Sequence, residues 1–321
     1  MTARAFWMTC PGTGEIRAED VPDPGPGEVR VRTLHTGVSR GTETLVFQGR
    51  VPESQWSAMR APFQDGDFPA PVKYGYLNVG VVEAGADELI GKVVFCLYPH
   101  QTRYVVPADA VTVIPDGVPA ARAVLAGTVE TAVNAVWDAA PQIGDRITVI
   151  GGGMVGASVA AVLAGLPATD VELVDVDASR EDLAASLNIS FAQPDAARGD
   201  RDLIIHASAT EAGLGRGLEL LRAEGTLVEL SWFGDRRIAV PLGENFHSRR
   251  LTIRSSQVGG IAPARHRGYA ARLQVALDLL QDPRFDALIT GHSDFDDLPQ
   301  VLPRLADGTL KALCHVIDHP I

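Results

Sequence analysis

The sequence lacks the long apolar runs and the excess of positive charge that mark membrane proteins and nucleic-acid-binding proteins. No apolar run among its 321 residues reaches the ~20 residues of a membrane-spanning helix, so no membrane partner is predicted. The formal net charge of −12 at pH 7 disfavours nucleic acid and anionic membrane surfaces as partners. The N-terminal residues also lack the apolar stretch and cleavage pattern of a secretory signal.

Cysteine is scarce as well. The chain has 3 cysteines, Cys10, Cys96 and Cys314, and they lie far apart. An odd number of widely separated cysteines argues against a disulfide framework and fits the reducing cytoplasm, which is the predicted location. The remaining composition, 46% hydrophobic and 21% charged, is that of a globular protein, and the length allows two domains.

The most informative segment is ITVIGGGMVG at residues 147–156. An apolar run leads into Gly151, Gly153 and Gly156 at G-x-G-x-x-G spacing, and a second apolar run ends on Asp175. Gly151 permits a tight turn, Gly153 lets backbone approach a pyrophosphate, and Gly156 allows close packing of helix on strand. The pattern predicts a dinucleotide site; the alternative is a glycine-rich turn in another kind of α/β protein.

The helix after this turn is predicted to begin near Met154 and Val155. The N–H groups of a first helical turn have no acceptor within the helix, and the helix dipole is positive at this end. Met154 and Val155 are therefore predicted to contribute to phosphate binding.

The two parts of the chain differ in pattern. Residues 1–118 read mostly as β-structure, whereas strand and helix patterns alternate across residues 119–257. Such alternation is typical of a parallel sheet covered by helices on both faces, so the predicted fold class is α/β. The predicted strands of the first part include residues 28–33, 79–83, 92–97, 103–106 and 111–114, and a strand is also predicted at 311–317.

With a β-rich part ahead of the fingerprint, the chain resembles the medium-chain dehydrogenase/reductase superfamily, the group of the zinc-type alcohol dehydrogenases. The segments that carry the resemblance are GEVRVRTLHTGVSRGTE (27–43), PVKYGYLNVGVVEAGA (71–86), LAGTVETAVNAV (125–136), the fingerprint and SSQVGG (255–260). The resemblance implies a GroES-like β-rich catalytic domain of residues 1–118 and 258–321. It also implies a Rossmann domain of residues 119–257 with a doubly wound parallel sheet that binds NAD(P), a substrate site in the cleft between the domains, and a homodimer.

The chain departs from this family at its zinc ligands. The positions that match the catalytic zinc ligands hold Ser39, Tyr76 with Leu77, and Gly127. None of these is a thiolate, imidazole or carboxylate, the groups that zinc prefers. Cys96 is the only cysteine near the position of the family's four-cysteine structural zinc lobe. The chain is therefore predicted to work without zinc.

Four residues are candidates for handling a proton. Tyr76 takes the place of a zinc ligand and is predicted to act as general acid or oxyanion donor, or else to form an aromatic wall of the pocket. Ser39 joins a proton relay or is a small polar filler. Glu130 acts as acid or base or forms a salt bridge, and His100 titrates in the site or is structural.

Asp175 also bears on the choice of cofactor. A carboxylate at the end of the second strand accepts hydrogen bonds from the ribose hydroxyls of NAD and repels the 2′-phosphate of NADP. NAD is therefore predicted over NADP, although Arg180 in the following turn weakens this preference. Further cofactor contacts implied by the resemblance or by position at strand ends are Thr131, Ser208, Ser231 and Arg40.

The predicted function is an NAD(P)-dependent, zinc-independent oxidoreductase that transfers hydride between nicotinamide and a small organic alcohol or carbonyl substrate. One alternative is a non-catalytic NAD(P)-binding redox sensor or interaction protein. Another is a reductase of activated C=C bonds or quinones, and a third is a metal enzyme with unfamiliar ligands.

Overall fold

A computed structural model of the chain describes residues 1–261 and 267–320. These residues form two compact units, one of Met1–Gly127 with the segment from Ile289 onward, the other of Thr128–Leu288. In the described part of the chain, no helix is long and apolar enough to cross a membrane.

The first unit is mostly β-structure and is completed by the C-terminal segment. Its elements up to residue 127 are β1 (Thr2–Cys10), β2 (Thr13–Asp20), β3 (Glu28–Ser39), α1 (Arg40–Phe47), β4 (Asp65–Gly66), β5 (Val72–Lys73), β6 (Asn78–Gly85), β7 (Val93–Cys96), β8 (Arg103–Pro107), β9 (Val111–Val113) and α2 (Ala120–Ala123).

The second unit alternates strands and helices. Its elements are α3 (Ala126–Ala139), which begins at the unit boundary, β10 (Arg146–Ile150), α4 (Met154–Ala164), β11 (Asp170–Val174), α5 (Arg180–Ser186), β12 (Ser190–Ala192), β13 (Arg201–His206), α6 (Glu211–Leu220), β14 (Leu221–Glu229), α7 (Asn245–Ser248), β15 (Thr252–Ser255) and α8 (Tyr269–Leu279). The chain then returns to the first unit with β16 (Ile289–Asp294), α9 (Leu298–Ala306) and β17 (Cys314–Asp318).

Strand β3 organises the main sheet of the first unit. This sheet has the strand order β16-β17-β3-β6-β7-β9, and β8 also pairs with β3. Alternate residues of β3, such as Val29 and Val31, point into a core with Val82, Val94 and Tyr104. That alternation is expected for a strand with one face in the core. The C-terminal strand β17 pairs antiparallel with β3, which ties the end of the chain to the first unit.

The second unit has the doubly wound architecture of a Rossmann domain. Its parallel sheet has the order β12-β11-β10-β13-β14-β15, which is the 3-2-1-4-5-6 order of dinucleotide-binding folds. The strand order reverses between β10 and β13, and ligands bind such sheets outside the carboxyl ends of the strands at that point. This order confirms the predicted fold class of a β-rich unit plus a doubly wound parallel sheet.

The structure groups residues differently from the predicted domains, because residues 258–261 and 267–288 lie in the second unit. Within that unit, Arg272 of α8 donates a buried 3.0 Å hydrogen bond to Glu130 of α3. Residues 119–127 group with the first unit, where α2 packs on β3 and β6. Residues 262–266 and 321 of the predicted domain 258–321 lie outside the described residues.

Helix α4 packs on β10 with almost no space at Gly156. A Cβ atom built on Gly156 would lie 1.9 Å from the carbonyl oxygen of Gly151, closer than any real contact. A Cβ built on Gly153, three residues earlier, would meet nothing within 4 Å. The close approach predicted at Gly156 is therefore present in the structure.

We expect Gly156→Ala to lower the free energy of unfolding by about 1–3 kcal/mol, the usual cost of overpacking a filled interior. The matched variant Gly153→Ala should cost less than about 1 kcal/mol, because its methyl group enters open space and only the N-cap preference is affected. Urea denaturation of both variants measures the difference. Equal losses would show that the Gly151–Gly156 approach does not constrain the packing.

Candidate active site

The turn between β10 and α4 has the backbone geometry that a nucleotide phosphate requires. Gly151 has a φ of +106°, which favours glycine, and its N–H donates a 2.8 Å hydrogen bond to the carbonyl oxygen of Val174. Gly153 precedes the first residue of α4 and leaves open space beside the helix N-terminus. Met154 and Val155 form the first turn, whose N–H groups lack acceptors within the helix. This arrangement fits a diphosphate.

Asp175 lies beside this turn, directly after β11. One carboxylate oxygen accepts a 2.6 Å hydrogen bond from the N–H of Gly152, and the other accepts a 2.8 Å bond from the N–H of Asp177. Each oxygen has a further lone pair with which it can accept a ribose hydroxyl. The side chain of Arg180 packs against Gly152, and its Nε lies 3.8 Å from the carboxylate of Asp177. One cation and two carboxylates therefore surround the ribose position.

A buried polar network joins the ends of β13 and β14. His206 is fully buried; its Nδ1 lies 2.6 Å from a carboxylate oxygen of Glu229 and its Nε2 lies 2.7 Å from the hydroxyl of Ser208. Glu229 also accepts a hydrogen bond from the N–H of Ser231, whose hydroxyl accepts one from the N–H of Ala209. The network fixes the two turns at the carboxyl edge of the sheet, where Ser208 and Ser231 were predicted to meet a cofactor.

Glu130 is part of an ion pair inside the second unit. Its carboxylate accepts a 3.0 Å hydrogen bond from Arg272, which also donates to Asn134 and to the carbonyl oxygen of Val258. Burial raises the pKa of Glu130, and the guanidinium of Arg272 partly opposes that rise. The geometry favours the salt-bridge role of Glu130 over the role of acid or base. Thr131, the next residue of α3, is partly exposed.

Tyr76 and Ser39 lie together in the first unit. The hydroxyls of Ser39 and Thr42, at the start of α1, act on the Tyr76 phenol and lower its pKa, against the larger effect of burial. The ring of Tyr74 meets that of Tyr76 edge-on, with 6.0 Å between the ring centroids. Arg40, between the two hydroxyl-bearing residues, is exposed. The predicted proton donor therefore has two hydroxyl neighbours within the same unit.

His100 contacts Glu43 of helix α1, and Glu43 in turn contacts Ser39. Its Nε2 lies 2.8 Å from one carboxylate oxygen of Glu43, and the other oxygen accepts a 2.7 Å hydrogen bond from the N–H of Ser39. His100 is 1% exposed and Glu43 is 0% exposed. On the far side, Nδ1 of His100 lies 2.6 Å from the hydroxyl of Thr36, which lies 3.1 Å from Nε2 of His319. These buried polar groups form a chain that leads toward Tyr76.

The environment of Tyr76 keeps its phenol protonated. Burial raises the pKa of Tyr76 to about 12, and the negative charge of Glu43 adds to that rise. The nearby hydroxyls of Ser39 and Thr42 oppose that rise in part. At neutral pH the phenol is therefore a hydrogen-bond donor rather than a base.

Comparison with known proteins gives a result at the level of fold. No family model matches the chain, and no curated protein matches its sequence. Solved structures match over nearly the full length. L-idonate 5-dehydrogenase from Escherichia coli K-12 superposes with a TM-score of 0.81 at 15% identity, covering 99% of this chain and 98% of that chain. A short chain alcohol dehydrogenase from E. coli CFT073, complexed with NADH, has a TM-score of 0.79 at 18% identity and 99% coverage of both chains.

A zinc-binding dehydrogenase from Sinorhizobium meliloti, bound to NADP, has a TM-score of 0.79 at 16% identity and also covers 99% of each chain. The chain has the alcohol dehydrogenase fold. It combines a GroES-like β-rich unit with a Rossmann unit, as the sequence resemblance implied. The solved neighbours include one complex with NADH and one with NADP.

The residues at the matching positions do not fit the zinc site of this fold family. Ser39 and Tyr76 offer hydroxyls, and Leu77 offers no ligand atom. A Cβ built on Gly127 would lie 2.6 Å from a methyl carbon of Leu77, so the place of a third ligand side chain is already filled. Among the described residues, no group of three or more His, Cys, Asp or Glu side chains is arranged to hold a metal ion. No step of the proposed chemistry below uses zinc.

Several of the residues that matter here were not found from the sequence. Thr36, His319, Glu229 and Arg272 carry no local motif, and each acts through a contact with a residue distant in the chain. Glu43 belongs to the segment that carried the family resemblance, but its burial and its contacts with His100 and the N–H of Ser39 are seen only in the structure. The glycines of the turn and Asp175 lie together as their spacing predicted.

We expect Arg272→Met to lower the free energy of unfolding by about 3–5 kcal/mol, because it leaves Glu130 buried without its partner. The double variant Glu130→Leu/Arg272→Met should recover part of that loss. Arg250→Met, which breaks the exposed ion pair with Glu224, should cost about 0–1 kcal/mol. Urea denaturation of the three variants checks this. A stable Arg272→Met variant would return Glu130 to the list of candidate acids.

Proposed function

We propose that the chain is an NAD(P)-dependent oxidoreductase that interconverts an alcohol and a carbonyl group on a small organic substrate without zinc. The observation that carries this proposal is Tyr76, a phenol that its buried surroundings keep protonated and that stands where the family resemblance places a zinc ligand. The neighbours of known activity support a dehydrogenase or reductase. Homodimer formation and a cytoplasmic location remain predictions from the sequence.

The second unit holds the cofactor in this proposal. A bound nicotinamide supplies the position that accepts or donates hydride. Gly151 and Gly153 allow the diphosphate to reach the N-terminus of α4, and Asp175 accepts the ribose hydroxyls. The further contacts proposed are Met154, Val155, Arg180, Thr131, Ser208, Ser231 and Arg40.

The first unit supplies the proton. When a carbonyl is reduced, its oxygen gains negative charge, and the phenol of Tyr76 donates first a hydrogen bond and then its proton to that oxygen. The phenolate left behind takes its proton back from water, directly or through the hydroxyl of Ser39 or Thr42, which passes its own proton on and regains one from water. In the oxidative direction the same steps run in reverse, and the alcohol proton leaves through Tyr76 to water.

Cofactor preference follows from charge. Asp175 and Asp177 place two carboxylates at the ribose position, and a 2′-phosphate there would be repelled. Arg180 offers one compensating charge, and its Nε is near Asp177. We therefore propose NAD(H) as the preferred cofactor.

The reaction can be tested by following the NADH absorbance band with a panel of aldehydes, ketones and quinones. We expect Tyr76→Phe to lower turnover of the accepted carbonyl substrate by about 10²–10⁴-fold, the usual contribution of a general acid, with unchanged NADH affinity. Tyr74→Phe, which removes the hydroxyl of the adjacent buried tyrosine, should retain activity.

NADH binding without oxidation by any of these compounds would favour the non-catalytic sensor. Turnover of quinones alone would favour the alternative reductase, and full activity of Tyr76→Phe would leave Tyr76 as a pocket wall.

We expect Asp175→Ala to weaken NADH binding about tenfold or more, in line with the loss of charge-assisted hydrogen bonds, and to weaken NADPH binding less. The ratio of the two dissociation constants is the decisive quantity, because Asp175 also holds the turn through Gly152. Asp182→Ala removes a charge from the first turn of α5 and serves as the control. An unchanged ratio would show that Asp175 is not the ribose acid.

A further inference from the structure

Ser208 and Ser293 each lie within hydrogen-bond distance of the Nε2 atom of a histidine. The hydroxyl of Ser208 is 2.7 Å from His206, and that of Ser293 is 2.9 Å from His315. The two histidines differ at the other ring nitrogen. Nδ1 of His206 lies 2.6 Å from the carboxylate of Glu229, whereas Nδ1 of His315 is buried without a hydrogen-bond partner among the described residues. Of these two pairs, only Ser208–His206 has the acidic third member of a Ser–His–acid triad.

The carboxylate of Glu229 determines where the proton of His206 lies. A carboxylate accepts hydrogen bonds, so a neutral imidazole beside it carries its proton on Nδ1. Nε2 is then an acceptor, and the hydroxyl of Ser208 is the group that donates to it. The other carboxylate oxygen of Glu229 accepts a 2.7 Å hydrogen bond from the N–H of Ser231, which holds the acid in place. His206 is 0% exposed, so its ring has little freedom to turn away.

The oxygen of Ser208 keeps a lone pair for chemistry. Oγ1 of Thr210, the N-cap of α6, lies 2.8 Å from it and itself accepts a 3.0 Å hydrogen bond from the N–H of Gly213. The Thr210 hydroxyl therefore donates to one lone pair of the serine oxygen. The N–H of Thr210 approaches the same oxygen at 3.3 Å, which is longer than the ordinary range of about 2.7–3.2 Å. The second lone pair is thus only weakly engaged.

Gly213 makes room for the Ser208–His206 pair. A Cβ built on Gly213 would lie 2.3 Å from the hydroxyl oxygen of Ser208 and 2.9 Å from Nε2 of His206. A side chain at this position of α6 would therefore push the hydroxyl away from the imidazole. Ser208 is partly exposed and Thr210 is exposed, so a small molecule can reach this turn from solvent.

The start of α6 offers hydrogen-bond donors three residues after Ser208. The helix runs from Glu211 to Leu220, and the N–H groups of Glu211 and Ala212 have no acceptor within it. The positive end of the helix dipole lies at the same point. Backbone N–H groups of this kind stabilise the negative oxygen that forms when a nucleophile adds to a carbonyl group.

We propose that Ser208 and His206 hydrolyse a carboxylic ester, with Glu229 as the positioning residue for His206. Oγ of Ser208 bonds to the carbonyl carbon of the ester while its proton passes to Nε2 of His206. The imidazolium gives that proton to the departing alcohol oxygen as the C–O bond breaks, which leaves an acyl group on Ser208. Water then adds to the acyl carbon and gives a proton to His206. The bond from carbon to Oγ breaks, the carboxylic acid leaves, and the proton returns to Oγ. This activity is separate from the proposed hydride transfer.

The test uses p-nitrophenyl acetate as the ester and a fluorophosphonate as the covalent probe, with the full-length protein and no nucleotide present. We expect the phosphonate to add to Ser208 and not to Ser293, as located by mass spectrometry of the digested protein. Ser208→Ala and His206→Gln should each lower kcat for ester hydrolysis by about 10²–10⁴-fold, because the nucleophile or its base is lost. Ser293→Ala is the matched control and should keep the full rate.

The role of Glu229 is tested by separating kcat from KM. Glu229→Gln keeps the shape of the side chain but removes the charge that stabilises the imidazolium of His206. We expect it to lower kcat about 10²-fold or more and to leave the KM for the ester unchanged. Glu229→Asp, which retains the charge, should restore part of the rate.

Gly213→Ala tests the geometry while keeping all three side chains. Its methyl group displaces the Ser208 hydroxyl from His206, so both phosphonate labelling and ester hydrolysis should fall. Gly215→Ala is the control in the same helix, since a Cβ there would meet only Pro241 at an ordinary 3.8 Å. It should behave like the unsubstituted protein.

The proposal is overturned if no phosphonate adduct forms on Ser208, if Ser293 is labelled equally, or if Ser208→Ala still hydrolyses the ester at the full rate. A full rate in Gly213→Ala would also contradict it. If Glu229→Gln does not fold, labelling of the unsubstituted protein and the two glycine variants still decide. Because the assay contains no nucleotide, its outcome does not depend on whether the chain is a dehydrogenase.

Discussion

The buried carboxylate of Glu43 is the constraint on which the arrangement of the first unit depends. An ionised carboxylate with no solvent contact is destabilising unless charged or polar groups satisfy both of its oxygens. Two segments satisfy the oxygens directly: the start of α1, through the N–H of Ser39, and the loop that carries His100. Thr36 of β3 contacts the other side of the His100 ring, and His319, after β17, contacts Thr36. The return of the chain to the first unit is therefore part of the site, because β17 pairs with β3 and brings His319 to Thr36.

In the second unit the main constraint is steric, because helix α4 packs closely on strand β10. The Gly151–Gly156 approach leaves no room for a side chain, and it lets α4 start immediately above the carboxyl end of β10. The same edge of the sheet is stiffened by the hydrogen bonds of His206 to Glu229 and Ser208. In the proposed function, the second unit offers a positively polarised backbone surface for phosphates and the first offers a neutral phenol as proton donor.

The sequence could predict the features that depend on residues close together in the chain, and it could not predict contacts between residues far apart in it. The glycine turn, the strand that ends just before Asp175 and the alternation of strands and helices depend on residues near one another in the chain, and the structure has these elements where the sequence predicted them. The pairs Glu43–His100 and Glu130–Arg272 are separated by 57 and 142 residues, so no spacing rule indicates them. The amphipathic pattern of α8 likewise indicates that one face is buried, but not that Arg272 on this helix meets Glu130 of α3. Glu130 could be read as an acid or as a salt-bridge partner until its distant partner was visible.

Packing as well as ligand chemistry disfavours a zinc ion at the positions of Ser39, Tyr76 and Gly127. Leu77 fills the space beside Gly127, and its methyl groups would also lie 3.2 Å from a Cβ built on Gly37. Introducing a cysteine or aspartate at Gly127 would therefore clash with Leu77, while replacing Leu77 with a smaller or polar residue would open a cavity in a core position that is 1% exposed. No single substitution restores three metal ligands, because Ser39, Tyr76 and Gly127 would all have to change around Leu77. The phenol of Tyr76 and the packed side chain of Leu77 therefore oppose a zinc site for different reasons: the phenol is a poor zinc ligand, and Leu77 occupies the space that a ligand side chain at Gly127 would need.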